Sequence, residues 1–402
     1  MSNNIRSISG SGKALIYSEG EFGRIDGKVA NGLVRQSANF EIVGVVDSTK
    51  AGLDAGECLD GVKNGIPVFF NIADALGDLG EVPEYFIYGI APLAPLLDEA
   101  QRQTILSAMK LGMNIVNGLP QFFTDDDAFM QQATESGVRI HDFRKPPPRE
   151  DLHAFSGRIL EIQTPIVAVF GTDCAVGKRT TATKLVEELT DVGLNAVFIA
   201  TGQTGLLQGS KYGVAVDVLS SGYAAGEVEN AILSAEQQEH PDIIVVEGQG
   251  ALSHPAFTSS SAILKGALPG AFIIQHPPRR KNHCDYPKIP MPTLEGEIAL
   301  IEALSKSRVV AIAISHEDMN DEDVEVTIAA LERQHRLPTT DVLKHGCGKL
   351  VVELWDTFPQ LRERAPRASL ERRCAVAEQP TLARSVVTPG MRPPAVANDS
   401  RR

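Results

Sequence analysis

Residues 167–185, VAVFGTDCAVGKRTTATKL, run from an apolar stretch through a glycine-bounded loop to a lysine. A loop of this kind binds phosphate. Successive backbone N–H groups turn into one concavity at a helix N-terminus, where the helix dipole also favours anions. Gly171 and Gly177 let the chain curl, Thr172 and Cys174 lie inside the loop, and Lys178 adds a point charge. In the usual P-loop four residues separate the glycines, and a Ser or Thr after the lysine holds Mg²⁺. Here five residues separate Gly171 from Gly177, and Arg179 follows Lys178, with Thr180 and Thr181 behind it. A one-residue shift turns a helical side chain by about 100°, so Thr180 is displaced from the metal position. A fixed cation where a metal ligand is usual suggests phosphate neutralised by protein, and no metal-binding set is expected. Two cofactors fit: Mg-ATP with unusual metal handling, or a coenzyme A compound whose phosphates are held without metal. The pattern alone leaves both open.

A second group of chemical residues follows later apolar runs. IIVVEGQGALSHP (243–255) places Glu247, two glycines and His254 in one strand-end loop. An acid at the C-terminal end of a parallel strand faces the ligand crevice. With Asp173 in the phosphate loop, Glu247 and His254 are the candidates for proton transfer, Glu247 first. His276 and His283 flank HPPRRKNH (276–283), whose consecutive Arg279, Arg280 and Lys281 suit a substrate clamp, because arginine binds carboxylates bidentately, or a grip on a 3′-phosphate; a solvated basic turn is the plain alternative. Cys174 at a helix N-terminus admits an acyl-cysteine reading, since that position lowers a thiol pKa; a small residue tolerated in a tight loop is the plainer one.

The elements that must position these groups alternate between apolar runs and amphipathic stretches. Strands are predicted at KALIYSEG (13–20), FEIVGVVDS (40–48), YFIYGIAP (85–92), MNIVNGL (113–119) and VRIHDFR (138–144), with helices at 27–35 and 96–111. Near-continuous apolar strands separated by helices mean a parallel sheet covered on both faces. KPPPRED (145–151) breaks the pattern, because consecutive prolines neither continue a helix nor pair inside a sheet. Beyond it, strands at 165–173, 195–202, 242–250, 270–278 and 308–316 alternate with helices at 179–191 and 225–238. The reading is an α/β protein: an N-terminal Rossmann-like parallel-sheet domain (1–147), a C-terminal P-loop NTPase-like α/β domain (148–358), and an arginine- and proline-rich tail (359–402) expected to be disordered. YSEGEFGRIDGK (17–28), with Asp47 after the second strand, mimics a dinucleotide fingerprint but lacks G-x-G-x-x-G, so no nicotinamide is expected. YGIAP (88–92) is a strand-end loop placed to face an interdomain cleft.

Bulk properties exclude several classes. A net charge of −13 opposes binding to nucleic acid. No apolar run approaches the about 20 residues that span a bilayer, and the N-terminal stretch has no apolar signal region. The scattered cysteines contain no C-x-x-C pair, the usage of a reducing cytoplasm rather than a disulfide or zinc framework. A small-molecule substrate and a homo-oligomer are expected, with no membrane partner.

GTDCAVGK resembles the phosphate loop of dethiobiotin synthetase and its relatives, and IIVVEGQGAL resembles the segment those enzymes place opposite it. The pair GTDCAVGKRTTATKL and EGQGALSHPAF, in this order, resembles the family catalogued as domain of unknown function 1611, over about residues 10–355. That family includes D-glutamate N-acetyltransferases. The resemblance implies transfer of acetyl from acetyl-CoA to the amino group of D-glutamate or a similar amino acid, with an N-acetylamino-acid epimerase acting on the product. The alternative is an ATP-dependent ligase or kinase of the dethiobiotin-synthetase type, acting on a small carboxylate or amine.

Overall fold

The computed structural model describes residues 12–92 and 96–365. In its first domain, strands β1 (Gly12–Tyr17), β2 (Phe40–Val46), β3 (Val68–Phe69), β4 (Tyr85–Tyr88), β5 (Asn114–Asn117) and β6 (Ile140–Asp142) form one parallel sheet in the order β3-β2-β1-β4-β5-β6. This is the Rossmann order, whose crevice opens between β1 and β4 where the winding reverses. Leu15, Phe86 and Ile115 pack on one face, and Ala14, Ile16, Tyr85 and Val116 on the other. The short β3 and the helices Ala55–Asp60, Ile72–Leu79 and Asp127–Ser136 were not foreseen from the sequence. Their apolar runs are brief, and caps at Asp54, Asn71 and Asp126 start them.

In the second domain, β7 (Ile166–Gly171), β8 (Ala196–Ala200), β9 (Tyr212–Gly213), β10 (Ile243–Glu247) and β11 (Ala271–His276) are joined by β14 (Arg308–Ile314) and β15 (Thr339–Thr340). The order is β15-β14-β11-β7-β10-β8-β9, again all parallel. A small antiparallel hairpin, β12 (Asn282–His283) with β13 (Tyr286–Pro290), stands apart from this sheet. Every residue of β7 is buried. Its neighbours β10 and β11 end in Glu247 and His276, so the loop after β7 lies between two chemically equipped strand ends.

The two domains share a core. Phe40, Leu33 and Val34 of the first belong to one apolar cluster with Ala200, Leu206, Leu207 and Ala215 of the second. Around it, Gln208 Nε2 donates to the carbonyls of Gly32 (2.8 Å) and Gln36 (3.0 Å). Arg144 pairs with Asp217. The carboxyl ends of both sheets therefore open onto one fixed cleft. Among the described residues no helix is long and apolar enough to cross a membrane.

The segment joining the domains runs along helix Ser221–Glu239. Buried Glu229 accepts from the amides of Ser156 (2.6 Å) and Ile159 (3.1 Å). The ordered domain also extends past Pro359. Residues Pro359–Arg364 form a helix, and Leu361 is fully buried beside Leu354 and Trp355. Proline fits the first position of a helix, whose N–H is unpaired anyway, so here it starts a helix where the sequence suggested an end. Residues 366–402, the remainder of the expected tail, lie outside the described residues.

Gly226 is where the connecting segment presses closest. A Cβ there would lie 2.2 Å from the carbonyl oxygen of His153 and 2.4 Å from the carbonyl carbon of Ala154. Gly226→Ala should lower unfolding stability by about 1–3 kcal/mol, read from denaturant midpoints. An unchanged midpoint would show that this contact yields freely.

Candidate active site

A cleft of about 730 Å³ lies between the domains. The phosphate loop, the end of β10, residues 91–92 after β4 and residues 23–35 line it. Ala91 and Pro92 therefore place the YGIAP loop at the cleft.

The loop begins at Gly171, where a Cβ would meet the Gln275 carbonyl at 2.9 Å. Ala175 (φ 49°) and Gly177 (φ 103°) take left-handed conformations, the alternation that gathers amides into an anion-binding nest. The loop's carbonyls are occupied by cations. Lys178 Nζ donates to the Asp173 carbonyl, and Arg280 donates to those of Cys174 (2.8 Å) and Ala175 (3.3 Å). The Thr172 amide is taken by the Gln275 carbonyl (3.1 Å); the amides at the start of helix Lys178–Asp191 have no intrahelical partner and form the loop's polar face. Thr180 and Thr181 both line the cleft, and the Thr181 hydroxyl donates to Gln275 Oε1. Thr172 bonds the ring of His276 (2.9 Å), which burial keeps neutral by pushing its pKa down to about 4.

Asp173 is a buried hub. Its carboxylate accepts from His283 Nδ1 (2.7 Å), Arg280 (2.9 Å) and the Cys284 amide (2.9 Å). Burial opposes the charge. The His283 bond, the Cys284 amide and Arg280 together outweigh it and hold the carboxyl below the usual range. His254 Nε2 lies 3.8 Å from the same carboxylate, fully buried and without a hydrogen-bond partner. Asp173, His254 and His283 are spaced closely enough to hold a metal ion. The proton arrangement opposes that use. His254 Nδ1 accepts from the Ala256 amide (3.2 Å), so in the neutral ring Nε2 carries the hydrogen and offers no lone pair. None of the three lines the cleft. Asp173 and His254, expected as proton-transfer groups, are thus placed behind the loop rather than in front of it.

Glu247 does line the cleft. Its Oε2 accepts from the amides of Thr201 (2.9 Å) and Gly202 (3.2 Å), which leaves Oε1 for a ligand. Burial raises its pKa above the ordinary 4.5, and the charge of Arg179 opposes the rise. A carboxyl so perturbed in a cleft is a candidate general base.

Two other expectations need correction, and the open reading of Cys174 is decided for the plainer one. The cation run is not a substrate clamp at the cleft. Arg279 pairs with Asp323 on the surface (2.7 Å), Arg280 is taken by Asp173, Glu317 and the loop, and Lys281 is exposed; none lines the cleft. Cys174 is no thiolate, because burial pushes its thiol up to about 11 and overrides the helix N-terminus. Arg179 lines the cleft, but its fork turns toward the first domain. A Cβ on Gly32 would meet it at 2.4 Å, and its Nε and one Nη are buried without partners. Its charge is felt by Glu247.

The Rossmann crevice is filled by protein. Asp47, where a dinucleotide's ribose would sit, is fully buried and accepts from the amides of Phe22 (3.0 Å) and Thr49 (2.9 Å). Phe22 occupies the core. Lys28 and Arg24, passed over in the sequence, line the cleft instead. Their signal was present in residues 17–28, hidden by the likeness to a dinucleotide loop.

Two family models match the chain. A Rossmann-like DUF1611 N-terminal domain of unknown function covers residues 48–146, and a P-loop DUF1611 C-terminal domain of unknown function covers residues 153–351. The chain belongs to the DUF1611 family. A crystal structure of a DUF1611 protein from Anabaena variabilis superposes with a TM-score of 0.79 at 27% identity, covering 86% of this chain and 100% of that one. Two relatives of the chain carry a named activity. The D-glutamate N-acetyltransferase of Tritonibacter scottomollicae is 28% identical over 278 residues. The D-glutamate N-acetyltransferase of a Pseudoalteromonas species is 31% identical over 277 residues. Each match spans 67% of this chain and 80% of the relative.

Asp173 ties the DUF1611 loop to the hairpin behind it, so Asp173→Asn should destabilise the fold by about 3–5 kcal/mol at pH 7. Because its folded pKa is lowered, the carboxylate's contribution is present above its ordinary 3.8 and is lost as pH falls through the folded value. Thermal melts from pH 7 to 3 should show the variant's deficit shrinking toward the acid end. A deficit independent of pH would mean that the loss comes from packing alone.

Proposed function

We propose that this protein is an amino-acid N-acetyltransferase that moves acetyl from acetyl-CoA to the amino group of D-glutamate or a close analogue. The observation that carries the reading is one cleft in which a phosphate loop faces Glu247, a buried carboxyl with a raised pKa. The named activity of two relatives supports the same chemistry.

In this reading the amides of residues 175–180 and Lys178 receive phosphate oxygens of the cofactor, with protein charge in place of Mg²⁺. The acceptor enters as an ammonium ion and gives one proton to Glu247. The freed amine attacks the thioester carbon. The C–N bond forms, the tetrahedral intermediate collapses with cleavage of the C–S bond, and the second amine proton leaves with the thiolate. Arg179 acts on Glu247 rather than on phosphate. Its charge opposes the rise that burial gives the carboxyl's pKa.

Thiol release from acetyl-CoA and D-glutamate in excess EDTA, with no nucleotide, tests the reading directly. Release is expected, and release that requires Mg·ATP would replace the acetyltransferase with an ATP-dependent ligase. As part of the same test, Lys178→Ala should stay folded and lose about 1.5–3 kcal/mol of CoA affinity by titration calorimetry.

The pH–rate profile should fall on its acid side with a midpoint above 4.5, the ordinary value for glutamate. Glu247→Gln should lower kcat by about 10²–10⁴-fold and flatten that limb. An acid limb that survives the substitution would assign the proton to another group.

A further inference from the structure

An acceptor with two carboxylates needs cations that the protein has not already neutralised, and most of the cations around this cleft are spent. Arg35 is held by Asp60 (2.7 Å) and Arg144 by Asp217. Lys178 is tied to the phosphate loop, and the charge of Arg179 is felt by Glu247. The tempting run at 279–281 lies elsewhere. Arg179 also lacks an ion pair among the described residues, but its fork is buried and turned toward Gly32; the two remaining cleft-lining cations both come from the first domain. Lys28 makes no ion pair or side-chain hydrogen bond among the described residues, although its charge reaches Cys174 across the cleft. Arg24 has only a loose contact with Glu21, at 4.0 Å.

The segment carrying them is built to hold this pose. Asn31 grips it on both sides of Arg24: its Oδ1 accepts from the Gly23 amide (2.8 Å), and its Nδ2 donates to the Arg24 carbonyl (2.9 Å). Gly27 permits the fold-back, since a Cβ there would fall 2.0 Å from the Glu21 carbonyl oxygen. Phe22 and Asp47 anchor the same turn in the core. A loop that in a dinucleotide-binding domain would receive pyrophosphate is here packed shut on one side and presents two cations on the other.

We infer that Lys28 and Arg24 form the carboxylate subsite for the acyl acceptor, with Asn31 as the positioning residue that fixes Arg24. This rests on the acetyltransferase reading and adds to it which domain selects the acceptor. The phosphate loop of the second domain takes the cofactor, and the first domain takes the amino acid. An anionic group from the cofactor would use the same chemistry, so the two sources must be separated by experiment.

Steady-state kinetics of wild type, Lys28→Met and Asn31→Ala, with acetyl-CoA and a panel of acidic and neutral amino acids, makes the separation. Melting curves first establish that each variant is folded. Lys28→Met is expected to raise KM for the acidic acceptor by about 10-fold or more, the scale of a lost charge-assisted contact. It should leave KM for acetyl-CoA unchanged and should reduce the preference for acidic over neutral amino acids. Asn31→Ala should raise the acceptor KM with little change in kcat. An unchanged acceptor KM in Lys28→Met overturns the subsite. So does a rise in KM for acetyl-CoA alone, which would assign Lys28 to a cofactor phosphate. A wild-type enzyme that acetylates only neutral amino acids overturns the subsite while the acetyltransferase stands. Absence of thiol release with every amino acid overturns the activity, and the subsite with it.

Discussion

The buried carboxylate of Asp173 is the interaction on which the cleft depends. It sits inside a loop that must hold its amides inward and its carbonyls outward. It achieves this indirectly, by holding Arg280, whose guanidinium then collects two of the carbonyls. The same carboxylate fixes the β12–β13 hairpin through His283 and the Cys284 amide. A lone buried carboxylate would be costly, but one with this many donors is stable and rigid. His283 serves this rigidity, while Glu247 stands one strand away and lines the cleft.

The division of labour follows from sheet order. β7 lies between β10 and β11, so the phosphate loop emerges with Glu247 on one side and Gln275 and His276 on the other. Strand ends in a parallel sheet share one edge, and residues far apart in sequence meet there without long loops. The first domain contributes its own carboxyl edge to the same cleft.

Much of this was legible in the sequence. Long apolar strands, the phosphate loop and Glu247 announce themselves because their signals are local: a run of β-branched residues, paired glycines, an acid at a strand end. The two-residue strands β3, β9 and β15 carry too few residues to show a pattern. The cations at 279–281 misled because an ion pair's value lies in its partner. Asp173 and Glu317 are distant in sequence from Arg280, and nothing in HPPRRKNH reveals them. Lys28 was obscured for the opposite reason: its surroundings look like a familiar motif whose binding side is, in this fold, filled by Phe22. Pro359 reads as a breaker in a sequence and as a helix start in space, and only the burial of Leu361 decides between them.

The apolar cluster common to both domains bears on how the chain is made. A ribosome releases the first domain while Leu33, Phe40 and Tyr85 still await Leu206, Leu207 and Ala215. Until those later residues emerge, one flank of the Rossmann sheet remains greasy and uncovered, a state that invites association with other nascent chains. The halves of this protein are therefore not modules that evolution can freely exchange. A new partner for either domain would have to bring a matching apolar surface, and the cleft's geometry is inherited as a unit with the seam that closes it.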